Sequence, residues 1–141
     1  MSPIAWAVRP LKRYAEFSGR SSRAEYWWFV ALQWLLIAIA VFIGVSIAGG
    51  TGPQQTSPLF NGFIVPFVLG FLALLIPNIA VQVRRLHDQD RSGWFILLFA
   101  IPYVGGLLSI IFMLIPGTRG ENRFGPDPHV FEHDHLERVF A

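Results

Sequence analysis

Three stretches of nearly unbroken apolar residues divide the chain, at 26–48, 59–83 and 94–115, and none contains Asp, Glu, Lys, Arg or His. At ~1.5 Å of helical rise per residue, each is long enough to cross a ~30 Å hydrocarbon core. The pattern predicts an all-α, polytopic membrane protein with three transmembrane helices. Ahead of them, Trp6, Leu11, Tyr14 and Phe17 can share one side of a short helix, with Arg9, Lys12 and Arg13 elsewhere. A basic amphipathic helix of this kind lies flat at the headgroup level. Residues 1–128 read as one membrane domain and 129–141 as a polar, His-rich tail.

Punctuation between the apolar runs supports these boundaries. Ser22-Arg23-Ala24-Glu25 fits a capping box, in which the Ser22 hydroxyl accepts from the Glu25 amide and the Glu25 carboxylate reaches back to the cap. Tyr26, Trp27 and Trp28 then form an aromatic interface belt. A cleaved signal peptide ending at Ser46-Ile47-Ala48 is the rival, but signal cores run only ~7–15 apolar residues and this run is longer. Ser57-Pro58 reads as a cap and first residue of the second span. Pro77 removes the amide that would bond the Ala73 carbonyl, and the neighbouring Asn78 amide is placed to replace it. Arg84 and Arg85 follow at the helix end, where cations complement the dipole. Asp90 or Ser92 caps the third apolar segment, which Pro102, Gly105 and Gly106 interrupt. That segment has two readings: a full span, or a re-entrant hairpin of the kind tolerated where protein covers the broken backbone.

Charge placement sets the orientation. Charged residues are 14% of the chain against 53% hydrophobic, and the net charge is only +2, which does not suggest a nucleic-acid partner. Arginine supplies all of the basic residues except Lys12. It makes forked contacts with phosphate and carboxylate and stays charged when partly desolvated. Arg9, Lys12, Arg13, Arg20 and Arg23 precede the first span, and Arg84, Arg85 and Arg91 surround the loop after the second. The positive-inside rule puts the N-terminus and this central loop in the cytoplasm. With three full spans the tail lies outside; with a re-entrant third segment it returns to the cytoplasm. The chain has no cysteine, which excludes disulfides and thiolate chemistry.

The chemistry concentrates in the central loop. His87, Asp88 and Asp90 are the candidates if the chain is an enzyme, as acid, base or metal ligands. Arg20, Arg23, Arg84, Arg85 and Arg91 are the candidates for gripping an anion or lipid phosphate. The plainer alternative is a tight interfacial turn whose charges pair internally. Ser22, Glu25, Gln33, Asn78, Asn122, Arg123 and Asp127 read as structural polar groups. Gln33 and Asn78 fall at matching depths in their spans, and Arg123 is placed to pair with Asp127. His129, Glu132, His133 and His135 have spacings that suit a metal, against the reading of a solvated tail. No cofactor is expected.

Three motifs in order carry a family resemblance: Gly19-Arg20-Ser21-Ser22-Arg23-Ala24-Glu25-Tyr26-Trp27-Trp28, then Arg85-Leu86-His87-Asp88 with Asp90-Arg91-Ser92-Gly93-Trp94, then Pro116-Gly117-Thr118, Gly120-Glu121-Asn122-Arg123-Phe124-Gly125 and Asp127-Pro128. Over residues 10–128 the chain resembles the small bacterial inner-membrane proteins grouped as domain of unknown function 805. The resemblance implies a bacterial inner-membrane location and no particular activity. The leading functional expectation is a non-enzymatic binding or assembly protein. Its Arg-rich cytoplasmic face would contact anionic lipid, a protein partner or another copy of itself. The alternative is an enzyme acting on a phosphate-bearing lipid or ligand at His87, Asp88 and Asp90. A transporter or channel has least support, because ion pathways usually need an ionisable residue within a span.

Overall fold

A computed structural model describes residues 2–49 and 64–128. The Ser57-Pro58 cap and the tail histidines lie outside the described residues. Within them the chain is helical, with one isolated bridge between Asn122 and Gly125. Helix α1 (Pro3–Lys12) precedes α2 (Arg23–Gly49) and α3 (Val65–Asp88). A 3-10 helix (Gly93–Ala100) and α4 (Gly105–Leu114) follow.

Helix α1 starts on a Ser2 cap, whose hydroxyl accepts from the Ala5 amide at 3.3 Å, with Pro3 in the first turn. Trp6, Ala7 and Pro10 are buried, so Pro10 sits inside the helix without ending it. The helix stops at Lys12, short of the expected Phe17. Arg13 grips both oxygens of Glu16 at 2.7 Å, a fork that holds residues 13–16 as a turn. Leaving the helix frees Tyr14, and its hydroxyl donates to the Ala73 carbonyl. That is the carbonyl Pro77 leaves without an amide. Asn78 was expected there; it donates instead to Gln33 Oε1 at 3.1 Å.

Helices α2 and α3 bear complementary stripes. Ser22, Glu25, Tyr26 and Phe29 are buried at the start of α2, and Pro77, Ala80, Val81, Arg84, Arg85 and Asp88 towards the end of α3. Both series follow the three-and-four spacing of one helical face. Two polar pairs fix the antiparallel register: Glu25 with Arg84, and Gln33 with Asn78. Tyr26, Phe29, Val81, Leu86 and Met113 form the apolar core beside the charged end. Farther along, large residues of α2 such as Trp34, Leu35 and Phe42 are exposed, as are Leu69, Phe71 and Leu72 of α3. Two helical stretches, Arg23–Gly44 and Phe67–Asp88, are long and apolar enough to cross a membrane.

The third apolar segment, residues 94–115, is broken where Pro102, Gly105 and Gly106 were expected to interrupt it. The 3-10 helix runs out, Pro102 and Tyr103 turn the chain, and α4 runs back with Phe112 packed against Phe95 and Phe99. The eight 3-10 residues rise ~2.0 Å each and the ten residues of α4 ~1.5 Å each, so both arms are roughly 15 Å long. Gly105 makes the reversal possible: a Cβ there would lie 2.2 Å from the Phe99 carbonyl oxygen. Gly70 and Gly106, by contrast, have open space around them. Gly105→Ala should therefore destabilise the purified protein by about 1–3 kcal/mol, the usual cost of overpacking, while Gly106→Ala should not. Thermal unfolding in detergent would check this, and equal midpoints for the two variants would contradict the close contact.

Candidate functional site

Helix α3 continues one turn beyond the expected end of the second span. Arg84, Arg85, His87 and Asp88 are thus helical, and the loop proper starts at Gln89. The Arg91 amide bonds the Leu86 carbonyl and the Asp90 amide the His87 carbonyl, both at 3.0 Å. With Asp90 at φ 56, this is the six-to-one and five-to-two closure of a Schellman motif. Asp90 therefore holds the left-handed position that ends the helix. Ser92, the other cap candidate, accepts from the Trp94 amide at 3.5 Å.

Asp88 is fully buried on the inner face of that last turn. Arg20 donates to its Oδ1 through Nε at 3.0 Å, with Nη2 of the same guanidinium at 2.9 Å, and Arg85 binds its Oδ2. Both arginines also reach the closing segment. Arg20 donates to the carbonyls of Thr118 and Gly120, and Arg85 to that of Ile115. The Asp88 carbonyl accepts from the Thr118 amide at 2.8 Å and hydroxyl at 3.1 Å. Gly117 is where this segment passes the carboxylate; a Cβ there would fall 2.0 Å from Asp88 Oδ2. One carboxylate thus ties together the loop before α2, the end of α3 and the segment after α4.

A second buried pair lies beside this hub. Ser22 caps α2 by accepting from the Glu25 amide at 3.2 Å. The Glu25 carboxylate does not complete the expected box, since it faces Arg84 at 3.2 Å and Arg9 at 3.6 Å. Its charge is drawn to the two guanidiniums that α1 and α3 bring to it. The Arg84 nitrogens make no aligned hydrogen bond, so charge proximity holds this pair.

The candidates for catalysis do not converge. His87 stacks flat on Phe124, with ring centroids 3.9 Å apart and planes 3° apart, and its Nδ1 lies 3.3 Å from the Gly19 carbonyl oxygen. Asp88 turns inward to its arginines, and Asp90 pairs with Arg123 at 3.1 Å on the surface. Among the described residues no three His, Cys, Asp or Glu side chains are grouped to hold a metal. The candidate anion-gripping arginines are mostly engaged within the protein. Arg20, Arg84 and Arg85 are buried in the pairs above, Arg91 lies over the rings of Phe95 and Phe112, and Arg23 is exposed.

The closing segment folds as a small tied turn. Asn122 donates to the His87 carbonyl and to Thr118 Oγ1, both at 2.9 Å, and its own Oδ1 accepts from the Phe124 amide. Arg123 was expected to pair with Asp127; it pairs with Asp90, and Asp127 accepts from the Gly120 amide at 2.9 Å. Sequence reasoning overlooked Thr118, Gly117, Phe124, Tyr14 and Gln89, whose amide donates to the Phe112 carbonyl. Gly117, Thr118 and Phe124 were named only as parts of the closing motif, and that membership was the available signal.

The three stretches that meet at Asp88 are those that carried the resemblance noted from sequence. The model of a family described as protein of unknown function, DUF805, matches residues 14–126. The chain belongs to this family. Among DUF805 relatives in Escherichia coli K12, inner membrane protein YhaH is 43% identical over 127 residues, covering 87% of this chain and 95% of YhaH. Inner membrane protein YhaI is 38% identical over 127 residues, covering 89% and 96%. The uncharacterised protein YiiR is 31% identical over 136 residues, covering 79% and 84%. No solved structure matches. The relatives' names and the two long apolar helices make this DUF805 chain a bacterial inner-membrane protein.

Removing the Asp88 charge leaves two buried guanidiniums sharing a neutral partner. Asp88→Asn should cost about 3–5 kcal/mol of stability, as for other broken buried pairs. Asp90→Asn, at a side chain 47% exposed, should cost no more than about 1 kcal/mol. Thermal unfolding of the two purified variants checks the contrast. Equal, small losses would mean that Asp88 is not the tie.

Proposed function

We propose that this DUF805 protein is a non-enzymatic binding or assembly protein, whose arginine-rich cytoplasmic face contacts anionic lipid. Helices α2 and α3 span the bilayer. The third apolar segment enters it as a re-entrant hairpin, because arms of roughly 15 Å reach half of a ~30 Å core. The N-terminal helix, the central loop and the closing motif then share the cytoplasmic side. Exposed apolar faces on α2, α3 and the hairpin are available to lipid, to a partner's helices or to another copy.

One observation carries this reading. Every charged residue in 2–128 belongs to the segments that gather around Asp88 and Glu25, ten basic against six acidic. The buried arginines are taken up by these two carboxylates, while Lys12, Arg23 and Arg119 point outward. Basic residues at such a surface contribute about 1 kcal/mol each to contact with anionic lipid. The enzyme alternative has less support, since His87, Asp88 and Asp90 face three different neighbours.

Reconstitution tests it. The protein should unfold at a higher temperature in nanodiscs containing phosphatidylglycerol than in neutral phosphatidylcholine. The Lys12→Gln/Arg119→Gln double variant should lose part of that difference, about 1 kcal/mol per charge removed. Identical midpoints in the two lipids would remove the lipid-contact reading.

A further inference from the structure

A cleft of about 480 Å³ opens between the first turns of α2 and the end of α4, lined by Arg23, Ala24, Trp27, Trp28, Ala31 and Leu114. Its size is within the range of small-ligand sites. Residues 24, 27, 28 and 31 lie on one face of α2, so the two indoles form a wall with an alanine at either end. The Trp27 ring is held by an edge-on contact with Tyr26, centroids 5.2 Å apart. Arg23 stands at the mouth, exposed and without an ion pair among the described residues.

The charge around this mouth is unbalanced. Arg20 and Arg85 share the one Asp88 carboxylate, which leaves a positive surplus. Arg23 adds to it and lies close enough to Arg85 for the two to repel. A negative group beside Arg23 would relieve that repulsion. The lining also changes character along the helix. Arg23 is at one end, the indoles come next, and Ala31 is at the other end, with the exposed Leu114 completing the apolar lining. From Arg23 to Ala31 is ~12 Å along the helix axis. Phosphate, glycerol and the first part of an acyl chain follow one another over a comparable distance, and indoles favour the glycerol level.

We propose that this cleft is a binding site for one anionic phospholipid, with its phosphate on Arg23 and an acyl chain running between Trp27, Trp28, Ala31 and Leu114. The site rests on the proposed lipid-contacting face and gives that contact a location and a stoichiometry. A phospholipid anion fits better than a free phosphate because most of the lining is apolar.

Native mass spectrometry of the detergent-purified protein, titrated with phosphatidylglycerol and with phosphatidylcholine, tests it. The wild type should retain one phosphatidylglycerol in preference to phosphatidylcholine. Arg23→Gln, which removes the charge, and Ala31→Trp, which fills the apolar end, should each weaken retention about five- to tenfold. Lys12→Gln/Arg119→Gln, which removes charge from the lipid-contacting face outside the cleft, should weaken it less than Arg23→Gln does. Both cleft positions are exposed, and unchanged helical circular dichroism confirms that the variants fold. If Ala31→Trp retains the lipid as the wild type does, or if Arg23→Gln weakens retention no more than Arg119→Gln, the cleft is overturned while the lipid-contacting face stands. If the wild type prefers neither lipid here or in nanodiscs, both proposals fall.

Discussion

The Asp88 carboxylate, buried between Arg20 and Arg85, is the contact on which the remaining structure depends. It is the meeting point of three segments far apart in sequence, and the carbonyls of Ile115, Thr118 and Gly120 complete the arginines' contacts. A pair of this kind contributes little net stability over a well-packed apolar substitute, because desolvating the charges offsets their attraction. What it supplies is specificity. In this arrangement both buried guanidiniums face the carboxylate, and a rearranged loop that took one away would leave a buried charge unpaired, at a heavy cost.

That constraint matters more here than in a water-soluble helical bundle. In the proposed topology lipid tails surround α2 and α3; these are as apolar as leucine, so no hydrophobic force drives the two helices together. Their large side chains are accordingly mostly exposed beyond Gln33 and Asn78, and an apolar groove of about 410 Å³ lies between them there. Register and alignment are set at the charged end, by Glu25 with Arg84 and by Gln33 with Asn78. The hairpin is anchored at the same end, by Arg85 and Gln89 on the carbonyls of Ile115 and Phe112. The fold is held from one end, and the helices extend from that base.

Sequence showed the local features and hid the long-range ones. The Ser22 cap, the all-α class and the two long helices follow from periodicity and capping chemistry acting within a few residues. The matched depths of Gln33 and Asn78 were also legible, since rise per residue is fixed. Partner choice was not. Glu25 has a local use, reaching back to its cap, and a distant one, neutralising Arg84; the distant charge prevails because a buried guanidinium without a carboxylate costs more than an unfilled cap. Asp127 and Asp90 both suit Arg123, and nothing in the spacing ranks them. The third apolar segment was ambiguous for a different reason. Hydropathy counts apolar residues without registering direction, so a span and a hairpin score alike; the reversal of the chain shows in the tight passage at Gly105 beside Phe99 and in Phe112 against Phe95 and Phe99.

The central claim, that Asp88 gathers all three segments on one side of the membrane, is tested most directly by where Glu121 lies. The chain has no cysteine, so Lys12→Cys and Glu121→Cys can be labelled without background, and both positions are exposed. An impermeant thiol reagent is applied to spheroplasts with intact inner membranes, then to opened ones. Both positions should remain protected until the membrane is opened. Labelling of Glu121→Cys in the intact spheroplasts, with Lys12→Cys still protected, would put the closing motif on the opposite face and contradict the hub.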